Sequence, residues 1–400
     1  MTNGGLYFLP WLTQNTGVSV GTYNAIALVV TSMALLISGP VLGRLYDRSN
    51  RRSVYLFLTS LVMFAATLGI HLADQLSQTS IAKGTNALIC FCVLMYCYQL
   101  SLIFYNSRLN EIATPQDYAK ISGRGAAAGW VGALLGIILV LPFVDGTVPF
   151  IHGSGEAKAF LPSAMFYGIG TAISLVLMRG ISTGRRSSSR VPLSELFSQT
   201  WRDIRMTIKL NNVLYFLLAL FLFADAVLTI ENNASYYLAE VMHYSENAKA
   251  TLFALLLIMA AVGSLVSAKL AQKVSLKKLL IGILIAWSVT LIMVSITRNH
   301  IAFAVEFSMV GFLFGSQATV ARTLFLMLLP PHRTGEYFGM FVSFWRFATC
   351  IGPVVWVAAA YGFRQWGVDA YRASMIAMAI LIIISLAFLR KVVPSAQNAS

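Results

Sequence analysis

The chain alternates long apolar runs with short polar loops. Each long run, bounded by charged or turn residues, is close to the roughly 20 residues that a helix needs to cross about 30 Å of hydrocarbon. The runs predict eleven full transmembrane helices, at residues 21–43, 54–72, 86–106, 122–143, 161–178, 212–232, 247–268, 278–297, 301–322, 337–361 and 371–389. The expected fold class is therefore an all-α polytopic membrane protein.

Composition supports this prediction. The 400 residues are 58% hydrophobic and only 11% charged, whereas about a quarter of the residues of a soluble domain are charged. This excludes a soluble enzyme, a secreted disulfide scaffold and a disordered chain. The four cysteines lie inside apolar runs and lack the spacing of metal ligands, so no metal site or disulfide is expected.

The basic residues are distributed unevenly between the two sets of alternate loops. One set holds 22 Lys and Arg residues, the other holds 6, and Arg346 lies inside a predicted span. The positive-inside rule places the richer set in the cytoplasm. The net charge of +14 is therefore explained by topology, and no nucleic-acid partner is expected, because such a partner needs a basic face with interleaved aromatic residues.

The start of the chain has a short apolar stretch, Leu6 to Leu12, which is too short to cross the bilayer. Because the loop after span 21–43 is predicted to be cytoplasmic, that span begins outside. The short stretch is then expected to be the outer end of a preceding helix, so that the first of twelve helices is largely missing. A mis-assigned start and a truncated copy are both open explanations.

Two halves are predicted on either side of a polar stretch at 180–210, which reads as a cytoplasmic linker ending in a surface amphipathic helix. The expected domains are 1–179, the first bundle, and 211–400, the second. Short sequence echoes relate the two halves: 43–48 matches 268–273, and 115–123 matches 331–339. An internal repeat of this kind is typical of secondary transporters with a site near mid-membrane.

The loop sequence Gly43-Arg-Leu-Tyr-Asp-Arg-Ser-Asn-Arg-Arg52 resembles the loop motif of the major facilitator superfamily, with Asn50 where that motif has glycine. The resemblance implies the major facilitator fold of two six-helix bundles. The pattern predicts a tight turn that presents Asp47 to a helix N-terminus or to an arginine, and in the family this contact closes one end of the transporter. The alternative is a basic loop that only fixes topology. The candidate gating residues are Gly43, Asp47, Arg48, Arg51 and Arg52.

A narrower resemblance covers about residues 10 to 390. The segments 104–113, 121–132, 315–324 and 335–339, together with Gly352-Pro353, resemble the vacuole-effluxer branch, which includes autophagy-linked vacuolar amino-acid exporters and bacterial relatives. The resemblance implies export of amino acids or similar small metabolites by alternating access. The sequence departs from that branch at the start, where a Tyr-Asp-Trp-Ala-Asn-like stretch is absent.

Polar residues inside the predicted spans are functional candidates, because an ionisable group in hydrocarbon costs at least about 2.5–3.5 kcal/mol. The helical period places Asp225, Thr229 and Asn232 on one face. The candidate pathway residues are Asp225, Thr229, Asn232, Glu306, Gln317, Arg346 and Gln99. Asp225 and Glu306 are candidate proton or cation carriers, and Arg346 is a candidate counter-charge or clamp for a substrate carboxylate. The alternative is a purely structural Asp225–Arg346 pair.

Glycines and prolines in the spans add two expectations. The pairs Gly125/Gly129 and Gly132/Gly136 are spaced for close helix packing. Pro40 and Gly352-Pro353 are expected to be gating bends, with tolerated kinks as the alternative.

No phosphate-binding glycine loop and no catalytic triad are found, so no enzyme activity, ATP coupling or cofactor is expected. The predicted function is secondary transport of a small solute across the lipid bilayer, with protons as the candidate coupling ion. The alternative is a degenerate, non-transporting membrane protein of the same fold, acting as a scaffold or sensor. Short loops favour a bacterial inner membrane.

Overall fold

The computed structural model describes most of the chain. The described residues are 8, 11–13, 20–50, 52–77, 79–144, 155–178, 195, 197–200, 202, 211–330, 332–349 and 351–393.

Helices make up nearly all of this part of the chain, and the described residues contain no strand. The helices are α1 (Val20–Arg48), α2 (Arg52–Leu76), α3 (Ser80–Ile112), α4 (Tyr118–Val144), α5 (Phe160–Met178), α6 (Asn211–Tyr236), α7 (Glu246–Leu270), α8 (Leu276–Ile296), α9 (His300–Met327), α10 (Thr334–Phe347), α11 (Gly352–Gly362) and α12 (Ala370–Lys391). Short irregular helices precede α5, follow α6 and precede α12, at Gly155–Ala159, Tyr237–Val241 and Arg364–Asp369.

Ten stretches in the described part of the chain are long and apolar enough to cross a membrane. They confirm an integral membrane protein with an all-helical fold. The stretch Thr334–Gly362, which contains α10 and α11, counts as one of the ten, and α5 is not among them. The expected total of eleven full spans therefore stays a prediction.

The predicted span 337–361 is interrupted in its middle. Helix α10 ends at Phe347, and α11 begins at Gly352 with Pro353 in its first turn. Proline is favourable at the start of a helix because its missing N–H would have no intrahelical acceptor there. The break thus falls at the predicted Gly352-Pro353 bend, whereas Pro40 lies inside the continuous helix α1.

The chain folds into two compact units. The first comprises Met1–Arg108, Gly132–Thr200 and His332–Ser343, and the second comprises Leu109–Val131, Trp201–Pro331 and Phe344–Ser400. The predicted division into 1–179 and 211–400 stays a prediction, because most of the expected linker at 180–210 lies outside the described residues.

Within the first unit, the described residues of the short N-terminal stretch are buried. Phe8 stacks on Phe91 with ring centroids 4.4 Å apart, and Trp11 meets the edge of Phe160 at 5.2 Å. Their neighbours in this cluster are Ala27, Ile70, Ala73, Ala87 and Ala157. The cluster therefore ties this stretch to α1, α2 and α3; that the stretch is the outer end of a preceding helix stays a prediction.

Within the second unit, α7 and α9 pack closely through small residues. A methyl group added to Gly263 or Gly315 would overlap a backbone carbonyl of the other helix, and Ser264 donates to the carbonyl of Gly315 at 3.1 Å. The Gly132/Gly136 pair of α4 behaves differently: a methyl group on either glycine would touch no described residue within 4 Å. The expectation of close packing at that pair is wrong for the described part of the chain.

Candidate functional site

Helices α1 and α10 cross in the first unit at four glycines: Gly39 and Gly43 on α1, and Gly335 and Gly339 on α10. We call this contact the first crossing. A methyl group on Gly339 would lie 2.6 Å from the carbonyl of Gly39, and one on Gly43 would overlap the backbone of Gly335. The two backbones can approach this closely because glycine has no side chain.

Asp47 connects the end of α1 to the start of α10. Its buried carboxylate accepts hydrogen bonds from the backbone amides of Gly335 at 2.9 Å and Glu336 at 3.1 Å. These amides belong to the first turn of α10, where backbone donors have no intrahelical acceptor and the helix dipole favours a negative charge. Of the two partners expected for Asp47, the structure therefore shows the helix N-terminus.

Arginines of the same loop brace this contact. Arg52 donates to the backbone carbonyl of Asp47 at 2.8 Å, and its guanidinium lies over the ring of Tyr46 at 5.5 Å. Arg48 donates to Gln199 at 3.2 Å. Arg51, the remaining candidate, lies outside the described residues.

A second crossing lies in the second unit, between α4 and α7. A methyl group on Gly123 would lie 2.6 Å from the carbonyl of Ser264 and would overlap the side chain of Ala268. Arg322 of α9 adds a polar contact with α4, donating to the hydroxyl of Ser122 at 3.0 Å and to its carbonyl at 3.2 Å. Sequence reasoning missed this contact, although Arg322 is a lone cation at the end of an apolar span.

The two crossings are built from repeat-related residues. When 43–48 is aligned with 268–273, Gly39 corresponds to Ser264. When 115–123 is aligned with 331–339, Gly123 corresponds to Gly339. Gly39–Gly339 and Ser264–Gly123 are both backbone contacts in the structure. The polar parts differ, because Asp47 corresponds to the exposed Gln272.

In the middle of α6, Asp225 and Thr229 are fully buried against the start of α11. One carboxylate oxygen of Asp225 accepts from the backbone amide of Gly352 at 2.5 Å. The other, Oδ1, has no hydrogen-bond partner among the described residues, and neither has the hydroxyl of Thr229. A methyl group on Gly352 would lie 2.9 Å from that Oδ1 and would overlap the Thr229 hydroxyl. Two oxygens without partners thus meet at the amino end of α11.

The alternative of a structural Asp225–Arg346 pair is not seen in the structure. Asp225 accepts its hydrogen bond from the amino end of α11, which is accessible because α10 ends before it, and the carboxylate that attracts Arg346 electrostatically is that of Glu231. Glu231 is not among the candidate residues that the sequence suggested. Asn232, predicted to share the face of Asp225, is exposed.

The other predicted polar residues lie apart from this contact. Glu306 accepts from the hydroxyl of Thr297 at 2.6 Å, beyond the end of α8. Arg372, which the sequence did not single out, donates to the carbonyl of Thr297 at 2.7 Å and caps the end of α8. Gln317 is buried on α9 with its amide oxygen lacking a described partner, and Gln99 is buried on α3 in the first unit.

Solved transporters share this fold. The E. coli fucose:proton symporter FucP matches over 97% of this chain and 97% of its own, with a TM-score of 0.68 at 12% identity. A bacterial homologue of the iron transporter ferroportin, in its outward-facing state, covers 98% and 96% with a TM-score of 0.69 at 13% identity. The human organic anion transporter MFSD10 covers 97% and 89% with a TM-score of 0.67 at 14% identity.

Sequence comparison agrees with the fold. The Bacillus subtilis (strain 168) protein YxiO, described as an uncharacterized MFS-type transporter, is 21% identical over 348 residues, which are 85% of this chain and 79% of that protein. The sequence profile of the Major Facilitator Superfamily matches residues 2–353 and 232–400. The chain therefore belongs to the Major Facilitator Superfamily.

Proposed function

We propose that the protein is a secondary active transporter that exports amino acids or similar small metabolites by alternating access, linked to protons, in a bacterial inner membrane. Membership of the superfamily supports small-solute transport. The amino-acid class is suggested by the resemblance to the vacuole-effluxer branch. Proton coupling is named for similar structures, a fucose:proton symporter and the proton:xylose symporter XylE.

The pair of crossings is the observation that carries the proposal. Each joins a helix of the first sequence half to one of the second at ends that the charge distribution assigns to the cytoplasm. Each consists of backbone-to-backbone contacts between small residues with one polar attachment, Asp47 or Arg322. The small residues at these contacts carry no large apolar side chain that opening would expose to water. This is what alternating access requires of a gate.

Arg346 and Glu231 support an amino acid as the solute. Both lie in apolar helices, and the guanidinium of Arg346 attracts the carboxylate of Glu231. A zwitterionic amino acid presents a carboxylate to an arginine and an ammonium group to a glutamate, so it can replace each residue as the other's partner. The low dielectric of the membrane interior strengthens these charge-assisted contacts.

Transport by purified protein in lipid vesicles tests the proposal. Radiolabelled amino acids, sugars and organic anions are compared as solutes, with and without an imposed pH gradient. We expect amino-acid flux that depends on the gradient and is lost in Arg346→Gln and Glu231→Gln. Arg390→Gln is the matched control, because Arg390 lies exposed at the end of α12.

Two results would contradict the proposal. Flux of sugars alone would overturn the amino-acid class. Absence of flux for every solute, from protein that is folded and correctly inserted, would favour the non-transporting alternative.

A further inference from the structure

We propose that Asp225, Thr229 and the amino end of α11 form the binding site of the coupling proton, and that Oδ1 of Asp225 is the atom that carries it. The inference rests on the proposed proton-linked transport and deepens it, because it chooses one site. It also states what binding of the proton does to the structure: it releases α11 from α6.

Burial is the first argument. Asp225 is fully buried within an apolar span, and its hydrogen-bond donors among the described residues are backbone amides at the start of α11, that of Gly352 and the neighbouring one of Ile351. A charged carboxylate in such a place also needs a counter-charge or donors to both of its oxygens. Because Oδ1 has no donor among the described residues, the carboxyl group is stable as the neutral acid, whose proton resides on that oxygen.

In the part of the chain that the structure describes, no positive side chain supplies the missing counter-charge. On the neighbouring helices, Arg346 is attracted by Glu231, Arg322 contacts Ser122, and Arg372 caps α8 beside Glu306. Lys391 of α12 lies over the ring of Tyr215, near the opposite end of α6 from Glu231. None of these groups forms an ion pair with Asp225. Its charge is therefore balanced by a proton or by the dipole of α11.

The geometry favours a proton over a metal ion. The oxygens that converge beside Gly352 are Oδ1 and the backbone carbonyl of Asp225 and the hydroxyl of Thr229. Three oxygens are fewer than the roughly six to eight that Ca²⁺ takes, and the described residues contain no group of three or more His, Cys, Asp or Glu that could hold a metal ion. A proton occupies no volume, and the Thr229 hydroxyl can donate to the carboxylate once the proton has left.

The proton and α11 compete for the same carboxylate. Charged Asp225 is a strong acceptor for the first-turn amide of Gly352 and complements the helix dipole, whereas neutral Asp225 is a weaker acceptor. Protonation therefore loosens the contact between α6 and α11. The break before Gly352 allows α11 to move while α10 keeps its contact with α1.

Infrared difference spectroscopy between acid and alkaline pH tests the site directly, on the full chain in lipid bilayers without any solute. A protonated buried carboxylic acid gives a carbonyl stretch that disappears on deprotonation. We expect one such band to be lost in Asp225→Asn and kept in Glu306→Gln. Thr229→Val should move the titration of the band to higher pH, because the charged form loses a donor. Thr323→Val is the matched control, since that buried hydroxyl already donates to the carbonyl of Thr319 at 2.8 Å.

The outcomes separate this inference from the proposed function. A band that persists unchanged in Asp225→Asn overturns the site, whether or not the protein transports. If Asp225→Asn does not fold, an unshifted titration in Thr229→Val overturns it instead. Loss of the band in Asp225→Asn, found in a protein without proton-linked flux, keeps the proton site and rejects the coupling.

Release of α11 is tested separately by hydrogen exchange at alkaline pH, where the wild-type carboxylate is charged. We expect the amides at the start of α11 to exchange roughly tenfold faster in Asp225→Asn, the ratio for about 1.4 kcal/mol of lost hydrogen-bond strength. Equal exchange rates would overturn the release of α11 on protonation.

Discussion

Replacing Asp47 by Asn should open the first crossing. The carboxylate accepts two backbone hydrogen bonds, at 2.9 and 3.1 Å, at the start of α10. The asparagine keeps the shape but loses the charge, and its amide group can accept through only one oxygen. Bonds to a charged group contribute about 1.5–3 kcal/mol and neutral ones about 0.5–1.5, and the helix dipole adds about 0.3–1. The cost of burying the charge of the carboxylate offsets part of this gain, which leaves a net loss of about 2 kcal/mol, or roughly thirtyfold in the opening equilibrium.

Cysteine labelling measures that opening. Ser343 is buried beside the crossing and donates to the carbonyl of Leu35 at 3.2 Å, so Ser343→Cys is a conservative reporter once the four native cysteines are replaced. A membrane-impermeant maleimide is applied from the cytoplasmic side. We expect Asp47→Asn to raise the labelling rate of the reporter by roughly thirtyfold.

A matched acid controls for loss of charge alone. Asp117 lies half exposed just before α4 and pairs only with Lys120 at 3.9 Å among the acids and bases described, so Asp117→Asn should leave the labelling rate unchanged. If Asp47→Asn labels at the wild-type rate while remaining folded, the carboxylate does not hold the crossing closed. The reasoning from its hydrogen bonds would then be refuted.

Three further predictions concern packing and polar contacts. Gly339→Ala places a methyl group against the backbone of α1 and should cost about 1–3 kcal/mol of stability, seen as a lower melting temperature. In Gly136→Ala the methyl group touches no described residue, so this control should not lower the melting temperature. Equal effects of the two substitutions would contradict the close contact at the first crossing. Arg322→Gln should increase the labelling rate of a buried Thr319→Cys reporter on α9. If the two crossings act independently, its effect on labelling should multiply with that of Asp47→Asn. No change in labelling would mean that Arg322 does not hold the second crossing closed. Arg372→Gln removes the cap of α8 and should cost about 2 kcal/mol, measured by chemical unfolding; an unchanged midpoint would mean that other donors satisfy those carbonyls.

Features fixed by the membrane or by local chemistry could be predicted from the sequence. Apolar runs locate the helices because hydrocarbon excludes unpaired backbone groups, and the break at Gly352-Pro353 follows from the covalent structure of proline. A helix N-terminus was one of the two partners expected for Asp47. The sequence could suggest it because the predicted tight turn presents the carboxylate of Asp47 to a neighbouring helix.

Choices among distant partners could not be predicted. Spacing alone suggested that Gly132 and Gly136 pack against a helix, yet the close contacts occur at Gly39, Gly339 and Gly123. A small residue permits a close approach but does not say which helix will arrive. The prediction for the polar face of α6 was incomplete for the same reason. Asp225 contacts backbone amides at the start of α11, and because almost every residue has such an amide, the sequence does not single out this partner.

The first crossing has a consequence for how this transporter can diversify. Its contacts join main chain to main chain, so it depends on the absence of side chains at a few positions and hardly on the identity of the surrounding ones. Substitutions of residues along the transport pathway can therefore accumulate without altering the first crossing. A protein of this kind can acquire a new solute while its conformational change stays the same.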